Sequence, residues 1–388
     1  MALLFFDAIV FTPQNVLERR AVIVSDEGKI AFVGKMEDAP QVAGPHFNLR
    51  GRILAPGFID IQVHGGNGID FTVGNLAAGL DAYSAWVAQN GVTGFLLSIA
   101  GPDALSLTNL TAAYADLLGK EVPGAEPLGL HLEGPFLSRE KKGAFDPSWF
   151  HPASLEEAQG YLDAGKGWIL QMTMAPELPN APEVAKLLRR KGVVVALGHT
   201  NTDYETAAIA LRSDFVHVTH TFNAQSSFDH RSPGVFGAIM SSDYVTAELI
   251  GDGVHVHPAS MKVLIRCLGT DRVVLITDAM TGAGLADGRY LLVGNEVTVN
   301  DGRATLANGT LAGSVATLNQ CVRNVNRLSG FPLQDAVKMA SLNPARAMGV
   351  ADRLGSVIPG KDASLTVIDD AVNVYLTMVK GKIVYNNL

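Results

Sequence analysis

Five apolar runs in this chain each stop at side chains that bind metals or move protons. FIDIQVH ends with Gln62 and His64, LGLHLE with Glu133, VVVALGH with His199, FVHVTH with His220 and VVLITD with Asp278. Glu133 raises the sharpest question, because an apolar run delivers it and the chain then breaks at once at Gly134-Pro135. Ionising a buried carboxylate among neutral imidazoles is costly unless a cation balances it. Glu133, His199 and His220 make a two-histidine, one-glutamate set that leaves a position open for water, as hydrolytic metal sites require. Asp278, on the last run, is then the natural base for that water. Read singly, each is more often a hydrogen-bonded structural residue, so the inference rests on the set. Strand alternation puts Gln62 and His64 on one face, whereas His217 and His220, three apart, cannot both point inward. We assign His220 to the mouth and expect His217 to pack among helices.

Such a set needs a frame that brings five strand ends to one rim. Between Phe58 and Asp278 eight candidate strands alternate with helix-length segments: FIDIQVH, TGFLLSIA, LGLHLE, WILQMTMAPE, VVVALGH, FVHVTH, VTAELIGDG and VVLITD. Buried parallel strands have this aliphatic, β-branched character. The expected fold class is α/β, a (β/α)8 TIM-type barrel whose active site lies at the C-terminal strand ends. A doubly wound sheet is the rival, but no complete GxGxxG or Walker-type loop occurs. The first fifty residues and the last thirty both alternate short β runs with turn residues. They predict a smaller β-sandwich domain built from both chain ends, residues 1–54 and 355–388, around a hydrolase domain at 55–354. From Leu311, SVATLNQCVRNVNRLSG and PLQDAVKMASLNPARAMG read as helices that stop at Gly.

With 388 residues, 47% of them hydrophobic, the chain can bury a large core. A net charge of −8 with no Lys/Arg-rich run argues against nucleic-acid or membrane-surface partners and favours a small-molecule ligand. The start, MALLFFDAIVF, lacks the features of a signal peptide. No apolar segment approaches the roughly 18 residues of a membrane span. The two cysteines, Cys267 and Cys321, form no CxxC and fall in segments read as helical, so we expect core roles and a cytoplasmic protein.

Beyond these patterns, APGFIDIQVHGGNGIDF, GLHLEGPFL with KKGAFDP, GHTNT, VTHTFNA, RSPGVFGA, GDGVHV, LITDAM and GTLAGS occur in this order. Together they resemble the N-acetylglucosamine-6-phosphate deacetylase family of the amidohydrolase superfamily, over nearly the whole chain. The resemblance implies metal-dependent deacetylation of N-acetyl-D-glucosamine 6-phosphate to D-glucosamine 6-phosphate and acetate, by metal-activated water with Asp278 as general base and acid. It implies Glu133, His199 and His220 as ligands of one divalent metal per subunit. Zinc is the first expectation, and iron, manganese or cobalt accept the same set. Ala144, Asn223, Ala224, His255, Leu311, Ala312 and Gly313 match substrate-binding positions. Arg231 matches a phosphate-binding arginine that the family supplies across a homodimer interface.

Two positions depart from the pattern. Many superfamily members carry His-x-His on the first strand and hold two metals; here Gln62-Val63-His64 stands there. His64 is then either a hydrogen-bonding support for the ligands or a ligand of a weak second metal shared with Asp278. At Phe145 the family usually has a histidine that polarises the substrate carbonyl. Its loss leaves three alternatives: the metal suffices, another donor such as His64 takes over, or the substrate sits differently. Competing readings keep the fold and change the substrate, to N-acetylgalactosamine 6-phosphate or another amide or cyclic imide. An inactive binding relative should have lost ligands or base, and all four remain. Lys141-Lys142 is either a solvated pair or leans toward phosphate, and HGGNG reads as a close backbone approach in preference to a phosphate loop.

Overall fold

The computed structural model describes residues 1–388. Eight strands form one parallel sheet in chain order: β1 (Phe58–Asp60), β2 (Val92–Ile99), β3 (Glu126–Glu133), β4 (Ile169–Met174), β5 (Val194–Leu197), β6 (Phe215–Val218), β7 (Thr246–Ile250) and β8 (Val273–Ile276). All eight residues of β2 are buried, as required of a strand covered on both faces. A helix follows each strand: α1 (Leu76–Ala88), α2 (Ala104–Ala115), α3 (Leu155–Gly165), α4 (Ala181–Arg190), α5 (Tyr204–Leu211), α6 (Gly234–Met240), α7 (Pro258–Leu268) and α8 (Leu318–Asn324). Asn75, Asp103, Ser154 and Asp203 start their helices by accepting a backbone amide at the first turn. Apolar faces such as Val184, Ala185 and Leu188 of α4 then join a buried cluster of 66 residues with the strands.

The outer strands also meet beyond their regular ends. Val63 pairs in parallel with Ala279, Asp278 N donates to Gln62 O at 2.9 Å and His64 N to Ala279 O at 2.8 Å. These bonds bring Gln62 and His64 beside Asp278, although one lies at the start of the sheet and the other at its end.

Both chain ends build a second sheet, as expected, with strands running from Leu3–Phe11 to Ile53–Pro56 and from Leu365–Ile368 to Lys382–Asn386. In place of the two sheets of a sandwich, hydrogen bonding joins its eight strands into one. Leu3, Phe5, Val22 and Leu54 from one end share a buried cluster with Leu365, Val367 and Leu376 from the other. No helix is long and apolar enough to cross a membrane.

His217 departs from expectation. It does not pack among helices: it lies on β6, fully buried, with Nε2 3.0 Å from Glu248 Oε1 on β7 and Nδ1 2.6 Å from Thr246 Oγ1. Alternation failed as a guide because β6 ends at Val218, and His220 has φ +25°, so it no longer follows the strand's period.

A three-stranded antiparallel sheet, Gly288–Leu292, Asn295–Asn300 and Arg303–Thr305, sits between β8 and α8 and was not anticipated. Its turns place Val293-Gly294 and Asp301-Gly302 at φ of +48° and +80°, and +49° and +71°. Two successive positive values are those of the tight hairpin turn that matches strand twist.

Candidate active site

Glu133 is the last residue of β3, and the other candidates stand just past the ends of β1, β5, β6 and β8. His199, His220 and Asp278 all have positive φ, at +46°, +25° and +50°. Each therefore leaves its strand by a left-handed residue, which re-aims the side chain at the rim. Asp60, buried on β1 and passed over in the sequence, braces the last of these turns: its carboxylate accepts from Thr277 N at 3.2 Å and Thr277 Oγ1 at 2.6 Å.

Three ligand-type atoms meet in a triangle. Glu133 Oε1 lies 3.2 Å from His199 Nε2 and 3.0 Å from His220 Nε2, and the two nitrogens are 3.0 Å apart. Tetrahedral ligands about 2.0–2.1 Å from an ion stand about 3.3 Å from one another, so this triangle is close to one face of such a site. Tautomer chemistry agrees, since His199 Nδ1 lies 2.7 Å from the Lys141 carbonyl and must be the protonated nitrogen, leaving a lone pair on Nε2. The other oxygen, Glu133 Oε2, lies 2.9 Å from His64 Nε2, which is 3.4 Å from Asp278 Oδ1. His64, Glu133 and Asp278 thus form a second set that could hold an ion and shares Glu133 with the first. Gln62 enters neither: its amide nitrogen donates to Glu133 Oε1 at 3.0 Å and to Asp278 Oδ1 at 3.4 Å.

The electrostatics tie these groups together. Burial alone would raise the Glu133 carboxyl, but hydrogen bonds with His199, His220 and His64 hold it well below the ordinary glutamate value. Burial resists charge on His220, yet its hydrogen bond to Glu133 and the nearby carboxylates lift it to about 9. For His64, bonds to Asp278 and Glu133 outweigh burial in the same way, lifting it to about 10. Without a cation, the cluster therefore holds protons at pH 7, and a divalent ion held by His220 would have to displace its proton, because only neutral imidazole ligates. The sign follows: metal affinity should rise with pH up to about 9, and uptake at pH 7 should release protons. Calorimetric titration of stripped protein in buffers of different ionisation enthalpy measures that release; uptake with no proton released would show that His220 is already neutral at pH 7.

Above the triangle lies a cavity of about 250 Å³ lined by His64, Glu133, His199, His220 and Asp278 together with Ala144, Asn223, Ala224, His255, Leu311 and Gly313. Gly143, Phe145, Leu292 and Thr310 complete its walls. The loop 141–145 shapes one side. A Cβ on Gly143 would stand 2.9 Å from His199 Cε1, so only glycine lets the loop pass this close. Phe145 is 7% exposed, with its ring centroid 5.5 Å from that of His199 and 6.4 Å from that of His64. It thus bridges the two candidate ligand sets and packs behind against Trp149 and Phe150.

Two candidates lie elsewhere. Ala312 is fully buried in the apolar cluster behind the wall, between the lining residues Leu311 and Gly313. Arg231 is exposed on the tight turn Asp229–Ser232 and does not line the cavity of its own chain. Lys141 serves through its carbonyl, and Lys142 Nζ turns back to the carbonyls of Gly143 and Phe145, both at 3.4 Å. Gly65–Gly66 of HGGNG pairs with Ile69–Asp70, where a Cβ on Gly65 would stand 1.9 Å from Ile69 O, a close backbone approach as expected.

Residues 53–384 match the amidohydrolase family. The chain is 34% identical to N-acetylglucosamine-6-phosphate deacetylase of Bacillus subtilis, over 99% of this chain and 97% of that one. It is 35% identical to N-acetylgalactosamine-6-phosphate deacetylase of Escherichia coli O157:H7, over 85% and 87%. Among solved structures it is similar, with TM-score 0.92 and 31% identity over 99% of this chain and 100% of that one, to a mutant N-acetyl-D-glucosamine-6-phosphate deacetylase from Mycobacterium smegmatis in complex with N-acetyl-D-glucosamine-6-phosphate.

Proposed function

The chain belongs to the amidohydrolase family, and from that premise we propose that it hydrolyses the amide of N-acetyl-D-glucosamine 6-phosphate to D-glucosamine 6-phosphate and acetate. The observation that carries this reading is the Glu133, His199 and His220 triangle opening on a sugar-sized cavity beside Asp278. A divalent ion held by those three residues would polarise the amide carbonyl and acidify a water. Asp278 would take a proton from water as the water oxygen bonds to the carbonyl carbon, and hand it to the amine nitrogen as the C–N bond breaks, because an amine leaves badly unless protonated. Gln62 and His64 hold the Asp278 and Glu133 carboxylates in place by hydrogen bonds. Phe145, Leu292 and Leu311 narrow the cavity and limit bulk water, which strengthens every charge interaction inside it.

We assign one metal per subunit, zinc first, with iron, manganese and cobalt as alternatives. The eight-stranded sheet is read as a closed barrel over 55–354, with the chain ends 1–54 and 355–388 as the smaller domain. The active unit in this reading is a homodimer in which Arg231 meets the phosphate bound by the other subunit. Cys321 is buried as expected, whereas Cys267 is exposed on α7 and takes no part in the core; both are unpaired, which supports a reducing, cytoplasmic setting.

The test is acetate release by metal-reconstituted protein from N-acetylglucosamine 6-phosphate, beside its galacto epimer and the unphosphorylated sugar. Release from the gluco phosphate above the others supports the reading, and preference for the epimer would support the activity named for the Escherichia coli relative. Absence of release with metal bound would overturn the substrate. Phe145→His should raise turnover by about tenfold, because it puts an N–H donor on the wall nearest the cluster without changing the ligands. Metal content should stay constant; unaltered kinetics would show that this wall does not meet the reacting carbonyl.

A further inference from the structure

We propose that Asp252, which the reaction above leaves without a task, is a positioning residue: it fixes the tautomer of His255 so that the ring offers an accepting Nε2 to a substrate hydroxyl. This deepens the deacetylase reading and rests on it. The segment Gly251–His255 follows β7, and Asp252 Oδ1 accepts from Val254 N and His255 N, each at 2.9 Å. Its other oxygen, Oδ2, lies 2.7 Å from His255 Nδ1. Asn324 Nδ2, on α8, ties the turn down through the carbonyls of Gly251 and Asp252, both at 3.1 Å. The carboxylate is thus engaged on both oxygens, and both side chains are only 7% exposed.

A carboxylate only accepts, so Nδ1 must carry the proton, and in the neutral ring Nε2 keeps a lone pair. His255 lines the cavity, and its Nε2 makes no hydrogen bond within the protein. Whatever meets that nitrogen must donate. A sugar hydroxyl can, whereas a carbonyl or a phosphate oxygen cannot, so the dyad both orients a sugar and rejects groups that only accept.

Asp252→Asn separates this role from a merely structural one. The asparagine oxygen can still serve the amides of Val254 and His255, which turns its NH2 toward Nδ1. Two facing donors repel, so the ring proton moves to Nε2 and the pocket-facing nitrogen becomes a donor. Nitrogen-15 spectra of the neutral histidine rings, assigned with His255→Gln, should show protonated Nδ1 in the wild type and protonated Nε2 in Asp252→Asn. KM for N-acetylglucosamine 6-phosphate should rise roughly tenfold, because the hydroxyl must turn to accept from the new N–H and loses the acceptor it donated to, with saturated turnover and metal content little changed. Among the singly deoxygenated sugar phosphates, the one lacking the partner hydroxyl should lose affinity in the wild type and lose less in Asp252→Asn. A wild-type ring protonated at Nε2 would overturn the proposal, as would Asp252→Asn with unchanged KM, or equal loss for that deoxy sugar in both proteins. If Asp252→Asn fails to fold, the wild-type tautomer and the KM of His255→Gln decide in its place. The spectra require no turnover, so failure of this inference is separable from failure of the deacetylase reading.

Discussion

Asp278→Asn should lower turnover by about 10²- to 10⁴-fold, the range for a lost general base, while metal content stays at the wild-type level. The backbone argues that the variant folds. Asp278 sits at φ +50°, a conformation asparagine tolerates nearly as well as aspartate. Its main chain is held by Gln62 O at 2.9 Å and Ser314 N at 2.7 Å, neither of which depends on the carboxylate. Asparagine can still meet Gln62 or His64 but cannot take a proton from water at neutral pH. Because Asp278 lies outside the Glu133, His199 and His220 triangle, its charge is not needed to hold an ion there. Single-turnover acetate release together with elemental analysis gives both readouts. Loss of metal in parallel with rate would make Asp278 a ligand through the His64 set, and a rate within tenfold of wild type would remove it as the base.

The strands and their rim were readable because five of the apolar runs stop at, or just short of, a polar residue that is costly to bury without a partner. Glu133 could be seen as anomalous before anything was known of its neighbours. What alternation could not supply was the geometry past the last strand residue. His220 points at the cluster because of a single left-handed residue, and the same turn let His217 point inward as well, against the expected either-or. Glu248 and Gln171 were invisible for a related reason. Inside a sheet buried on both faces they break no pattern, yet Glu248 accepts from Gln171 Nε2 at 2.9 Å and from His220 N at 2.9 Å, so it holds the backbone of His220. The three-stranded sheet that supplies Leu292 to the cavity did leave a signal, in the Asp301-Gly302 step between polar-apolar alternations. Arg231 is a different case: no reading of one chain could bring an exposed turn to a cavity it does not line.

Glu133→Gln should act on the ion where Asp278→Asn acts on the proton. Glu133 is the junction of the site, since Oε1 faces Gln62, His199 and His220 while Oε2 faces His64, and it belongs to both candidate ligand sets. Glutamine keeps the shape but removes the charge and turns one oxygen into a donor. If the amide nitrogen faces His199 and His220 it blocks the triangle; if it faces His64, the remaining oxygen is a neutral and weak ligand. Supporting residues that only orient ligands cost 10- to 100-fold in metal affinity, so a ligand itself should cost at least about 100-fold. Activity should then fall with occupancy and recover in part at high metal, which Asp278→Asn should not. Proton release should fall as well, because the Glu133 charge is the largest influence lifting His220 against burial. Chelator competition with zinc, run beside the calorimetric titration, measures both. Wild-type affinity in Glu133→Gln would mean that the carboxylate at the end of β3 is not what holds the ion, and the two-histidine, one-glutamate reading would fall.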